Sequence, residues 1–162
     1  MINGLSQEIM DITLRDIQDG EQDAVFGIVK SVLGQFGLQV NPEVTDKDLL
    51  DVKGFYVDRG GCFKVLESDG YIVGSYGLFP LSLGTCELRK MYLLPAYQGK
   101  GLGRIMMDDA LREARKRHFK EVVLETNSVL DKASSLYHKY GFEKYQPEHL
   151  SDRCDYAMKL KL

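Results

Sequence analysis

The sequence predicts one mixed α/β domain over residues 1–162, built on a mostly antiparallel sheet of about six to seven strands flanked by about four helices. Three observations carry this. The 162 residues are 44% hydrophobic and 28% charged, the balance of a folded chain of one-domain length. Short β-rich runs alternate with helix-period stretches along the chain. Asp69-Gly70 sits between two such runs, the signal of a tight antiparallel hairpin.

Residues 9–15 alternate loosely in polarity, as a strand does. Residues 20–36 read as a helix with Ala24, Val25, Ile28, Val29, Val32 and Leu33 on one face, closed by Gly34 and Gly37. Thr45 begins a T-D-K-D capping box for a short helix over 48–52. Arg59-Gly60-Gly61 marks a loop. Strands are expected at 62–67, 71–78 and 85–94, the last ended by Pro95. A glycine-spaced loop then opens a helix to Arg117, with Leu102, Ile105, Met106, Ala110, Leu111 and Ala114 as its apolar positions. On its wet side, Asp108 with Arg112 and Glu113 with Arg117 have i,i+4 spacing. Val122-Val123-Leu124 reads as a strand, 121–126, buried on both faces. Ser128 to Asp131 has capping-box spacing. The helix that follows carries Val129, Ala133, Leu136, Tyr137 and Tyr140 on one stripe, with Gly141 as its C′ residue. Residues 142–145 and 154–160 close the chain as strands.

Lys+Arg 21 against Asp+Glu 24 gives a net charge of -3, which weighs against a nucleic-acid partner. The basic run at 112–120 is interrupted by Glu113 and reads as a solvated helix face. The three cysteines, Cys62, Cys86 and Cys154, are far apart and lack metal-knuckle spacing. They read as reduced thiols with no metal, and the expected location is cytoplasmic. Nothing approaches the roughly 18 apolar residues of a membrane span, so no membrane partner is expected.

The chemistry concentrates between Glu87 and Phe142. Gln98, Gly99, Lys100, Gly101, Leu102, Gly103 and Arg104 join a strand directly to a helix start. Glycines let backbone approach a ligand closely, and the free N–H groups of a helix start attract anions. Such a loop is suited to phosphate, yet it matches neither a Walker A loop nor a Rossmann fingerprint. The bland alternative is a tight turn with no ligand.

Gln98, Gly101 and Gly103, together with Ala133, Leu136, Tyr137, Gly141 and Phe142, resemble the two motifs of the GNAT superfamily of acyl-CoA N-acyltransferases. Arg15 and the strand ELRKMYLLP also suit its pattern. The resemblance implies a GNAT-like single domain and acetyl-CoA as acyl donor. It implies that the fourth and fifth strands splay to admit pantetheine, an added strand in effect, against the backbone of Met91, Tyr92 and Leu93. Amides of Gln98 through Arg104 would then take the pyrophosphate. Leu130 departs from the pattern, standing where many members have Asn; Asn127 is the alternative side chain for the pantetheine arm.

The amine must lose a proton, and Glu87 matches a position where some members keep their base. By period two it shares a face with Arg89, Met91 and Leu93; alternatively it pairs with Arg89 or Lys90. Tyr137 matches the tyrosine beside the sulfur, as proton donor or orienting group; alternatively it packs in the core. The late loop's His149 is a further acceptor-site candidate. The implied acceptor is a primary amine of a small metabolite or amino-acid-like molecule, with a homodimer left open. Competing readings are a CoA-binding sensor without turnover, a protein N-terminal or lysine acetyltransferase, and a nucleic-acid binder using 112–120.

Overall fold

Asp69 and Gly70 both take positive φ, 50° and 86°, the conformation a two-residue hairpin loop requires. They join β2 (Cys62–Ser68) to β3 (Tyr71–Pro80). This hairpin lies between β1 and β4 in the sheet of the computed structural model, which describes residues 11–162. The remaining strands are β1 (Ile12–Asp16), β4 (Thr85–Leu93), β5 (Glu121–Thr126), β6 (Glu143–Tyr145) and β7 (Tyr156–Lys161). The seven lie in the order β1-β2-β3-β4-β5-β7-β6. All neighbours are antiparallel except β4 and β5. Residues 9 and 10 of the predicted first strand lie outside the described residues.

Helix α1 (Gln22–Gly34) buries Val25, Val29 and Leu33 against Phe63, Val65 and Phe79 on one face of the sheet. The opposite face is covered by α2 (Leu102–Lys116) and α3 (Asp131–Lys139). Helix α3 ends as the sequence predicts. Gly141 has φ 91°, its N–H donates to the His138 carbonyl at 3.0 Å, and the Phe142 N–H donates to the Tyr137 carbonyl at 3.1 Å. This paired arrangement satisfies the orphan carbonyls of the last turn.

Several local expectations are corrected. Ala24 is exposed, because the buried stripe of α1 begins at Val25. Thr45 does not cap a helix: its carbonyl accepts from Lys90 Nζ at 3.1 Å, and the segment becomes a 3-10 turn over Lys47–Leu50 followed by a π turn over Lys53–Val57. On α2, Met107 is buried while Ile105 is 45% exposed. Glu113 is not on the wet side. It is buried against Lys64 at 3.1 Å and also binds Arg117 at 3.2 Å. Arg112 turns to Asp109, and Asp108 accepts from Tyr140 Oη at 2.5 Å. The predicted cap of α3 is not formed, since Ser128 instead donates from N and Oγ to Asp155 at 2.9 and 2.5 Å. Val129, expected on the buried stripe, is 47% exposed.

Candidate functional site

The site begins with a backbone irregularity in β4. Ser75 pairs with Tyr92 and Gly77 with Arg89, so β4 carries one residue more than β3 across that step. Lys90 takes φ 54° there. Such a bulge re-aims the side chains that follow it. Glu87 lies opposite Phe79 on the α1 face, and the Arg89 guanidinium stacks over the Phe79 ring at 3.8 Å. Met91 and Leu93 instead pack with the α2–α3 core, while Tyr92 packs with the α1 core. The single face predicted for Glu87, Arg89, Met91 and Leu93 is therefore not formed, because one inserted residue inverts the alternation.

Strands β4 and β5 pair only from Thr85 with Glu121 to Glu87 with Val123. Beyond Glu87 they separate. A cavity of about 660 Å³ passes through this opening. One mouth, between α2 and α3, is lined by Gly101, Gly103, Arg104, Lys132, Leu136 and Lys139. The other, beneath α1, is lined by Val32, Phe36, Leu38, Val44, Phe55 and Glu87. Met91, Tyr92, Leu93, Asn127 and Tyr137 stand between them.

At the first mouth, Gly99 and Gly101 have φ 75° and 81°, and a Cβ on either would meet nothing within 4 Å. Gly101 is the N-cap of α2, and the first amide bonded within the helix is Ile105, to the Gly101 carbonyl at 3.3 Å. The N–H groups of Leu102, Gly103 and Arg104 are thus the unpaired first turn; the Leu102 side chain itself is core. The Gln98 amide, expected to take the pyrophosphate, is instead used by the turn at Pro95–Tyr97, where it donates to the Pro95 carbonyl at 3.2 Å. The Gln98 side chain ties the loop to β4 through the Leu93 carbonyl at 2.9 Å. Lys100 lies over the Tyr97 ring at 5.8 Å. Arg104, Lys132 and Lys139 make no salt bridge among the described residues, so this mouth is electropositive.

Midway, Tyr137 is 7% exposed and its ring lies 5.9 Å from Phe142. Its hydroxyl makes no hydrogen bond to a described residue, and burial pushes its pKa above the usual phenol range. Asn127 accepts from the Val129 N–H at 3.0 Å and donates to the Arg153 carbonyl at 2.9 Å, leaving one amide proton uncommitted.

Glu87 forms an ion pair with Arg89, one of the alternatives open in the sequence. Lys90, the other candidate partner, goes elsewhere. It is 9% exposed and sits 3.1 Å from Asp46 and 3.2 Å from Asp48. Arg153, from the β6–β7 loop, grips Asp46 with two bonds of 2.7 and 2.9 Å. Burial raises the Asp46 pKa, but Arg153, the Asn41 N–H and Lys90 outweigh it and hold it at about 2. Tyr56 donates to Asp48. Asp48 Oδ1 has no hydrogen bond of good geometry, only the Lys90 ammonium beside it.

Glu125 is a cavity carboxylate that sequence reasoning missed. Burial, then the charge of Glu87, raises its pKa. Its sequence signal is modest: a carboxylate directly after Val122-Val123-Leu124, at the carboxyl end of the parallel-paired strand. His149 does not line the cavity. The three cysteines are free, and Cys154 lines the passage. Among the described residues no cluster of His, Cys, Asp or Glu could hold a metal ion, and no helix is long and apolar enough to cross a membrane.

Residues 27–142 match the sequence profile of the Acetyltransferase (GNAT) family. The chain is 35% identical over 137 residues to the uncharacterised N-acetyltransferase YjgM of Escherichia coli, covering 82% of this chain and 79% of that protein. Human N-acetyltransferase 8B is 30% identical over 103 residues; that match takes in 60% of this chain and 45% of the human protein, so the chain spans about half the length of this relative. An acetyltransferase from Streptococcus agalactiae has the same fold at TM-score 0.84 and 19% identity, over 93% of this chain and 98% of that one. A GNAT family acetyltransferase from Elizabethkingia anophelis, solved with acetyl-CoA bound, aligns at TM-score 0.66 and 21% identity, again over 93% and 98%.

Proposed function

The chain belongs to the GNAT acetyltransferase family, and from that membership we propose that it acetylates a small primary amine by direct attack of the amine on the thioester of acetyl-CoA. The observation that carries the proposal is the single passage between β4 and β5, with free helix amides and cations at one mouth and carboxylates toward the other.

The residues present fit acetyl-CoA as acyl donor. A glycine cradle with open space at Gly99 and Gly101, an unpaired first turn of α2 and the Tyr137 hydroxyl, which makes no hydrogen bond to a described residue, all face the passage. Amides of Gly99 through Arg104 hold the pyrophosphate, supported by Arg104, Lys132 and Lys139. The backbone of Met91, Tyr92 and Leu93 takes the pantetheine as an added strand, with the spare amide proton of Asn127 nearby. Bound acetyl-CoA supplies an acetyl group activated as a thioester.

The chain's own groups manage the protons. Glu87 and Glu125 attract the ammonium form of the acceptor and take its proton. Glu87 is held by Arg89, whereas Glu125 has its pKa raised by burial and by Glu87, which brings it closer to the value a general base needs near neutral pH. Tyr137 stays protonated and turns its hydroxyl toward the position of the departing sulfur. The test is release of free thiol from acetyl-CoA against a panel of amines. Amine-dependent release is expected. CoA binding without any release across the panel returns the protein to a sensor role.

A further inference from the structure

We propose that the acceptor is a primary amine carried on an apolar body of aromatic size, with no carboxylate beside the amine. This rests on the acetyltransferase reading and narrows it.

The α1 mouth is walled by Val32, Leu33, Phe36, Leu38, Val44 and Phe55. Two of these are exposed, Phe36 at 40% and Val44 at 60%. An apolar body seated there removes that surface from water. The polar groups at the inner end decide what the body can carry. Arg89 is paired with Glu87. Lys90 lies 3.1 and 3.2 Å from Asp46 and Asp48. Arg153 is spent on Asp46 at 2.7 Å. Three cations thus face four carboxylates, Asp46, Asp48, Glu87 and Glu125, and the unmatched group is Glu125. An entering ammonium finds a carboxylate that makes no salt bridge among the described residues, the nearby Arg89 being held by Glu87. An α-carboxylate would meet Glu87 and Glu125, and its lost hydration would go uncompensated; Arg59, a guanidinium outside the salt bridges of the described residues, stacks over the Phe55 and Phe79 rings at 5.5 and 5.2 Å and does not line the cavity. Lys47 also lines the cavity, but it is solvent-exposed, where water and salt screen it. A polyamine fails for a different reason, since its further ammonium groups would lie against the apolar wall.

The discriminating experiment measures kcat/KM at saturating acetyl-CoA for 2-phenylethylamine, phenylalanine and spermidine, with CoA affinity measured separately by calorimetry. We expect 2-phenylethylamine to exceed each of the others by at least about tenfold, as when a charged group is left unpaired in a site. Val44→Arg adds a free cation at an exposed wall position, and it should narrow the ratio of 2-phenylethylamine to phenylalanine at least about threefold. A preference for phenylalanine or spermidine, a ratio unmoved by Val44→Arg, or turnover of none of the three by a protein that binds CoA, each overturns this inference and leaves the CoA site standing. Failure to bind CoA overturns both readings.

Discussion

Tyr137 makes the case for chemistry over packing at the level of one atom. The residue is 7% exposed, yet its hydroxyl makes no hydrogen bond to a described residue and opens onto the passage. Removing it therefore strands no donor or acceptor. Tyr137→Phe should leave the thermal midpoint within about 1 °C of wild type, because no hydrogen bond is broken, while kcat falls about tenfold or more. Normal turnover with an unchanged melt would make Tyr137 a core residue. The carboxylates separate by pH. Because the Glu125 pKa is raised, the folded protein holds that proton to higher pH than a free carboxyl. Activity that depends on its unprotonated form should decline as pH falls through that raised value. Glu125→Gln should lower kcat about 10²–10⁴-fold and remove the acid limb of the rate profile. If Glu87→Gln removes that limb and Glu125→Gln does not, Glu87 is the proton acceptor. Tyr137 was singled out in the sequence by its match to the family motif ending in Gly141-Phe142, while its helix stripe read equally as core packing. Glu125 was not, since one carboxylate at a strand end looks like many others until the strands are seen to part beside it.

At the scale of elements, the bulge in β4 and the cluster beneath it belong together. Period-two reading assigned Glu87 the same face as Met91 and Leu93, and one inserted residue reversed it. The sign of trouble was Lys90, a charge at a position alternation would bury with Leu88. The bulge aims it at Asp46 and Asp48, and Arg153 closes the group from the β6–β7 loop. Asp46, Lys90 and Arg153 are remote in sequence and meet only through topology, so no spacing rule reveals them. The hairpin at Asp69-Gly70, the α2 loop and the α3 cap, by contrast, are local and were readable. Asp46 is 0% exposed and answers two cations. Asp46→Asn should cost about 3–5 kcal/mol of unfolding free energy at pH 7, as removal of one partner from a buried pair does. The sign in pH follows from its depressed pKa of about 2. The stabilisation is full above the ordinary carboxyl pKa of about 3.9. It is lost as pH falls through about 2, the folded value. Urea midpoints for wild type and Asp46→Asn should therefore converge on acidification; a constant gap between them would show that Asp46 acts through shape, not charge.

Over the described residues, the sheet is a partition that opens where β4 and β5 part. Its α2–α3 side presents free amides, Arg104, Lys132 and Lys139, and its α1 side presents an apolar funnel ending at Glu87. On the proposed reading, a polyanionic donor would enter by the cationic mouth and an amine acceptor by the other, their reacting groups meeting where β4 leaves β5. Binding at one mouth is then separable from binding at the other. CoA at about 100 times its dissociation constant should stabilise the fold by about 2.7 kcal/mol, a rise of roughly 5–10 °C in the thermal midpoint for a chain of this size. Gly101→Val puts a β-branched residue at φ 81°, a conformation costly to any residue with a Cβ, in the cradle that CoA must approach. Its own melt should be lower, and the added shift from the same CoA concentration should be largely lost as affinity falls at least about tenfold. Glu125→Gln, at the far end of the passage, should keep the full shift. Equal CoA-induced shifts in Gly101→Val and wild type would mean the pyrophosphate is held elsewhere, and the division of labour across the sheet would have to be redrawn.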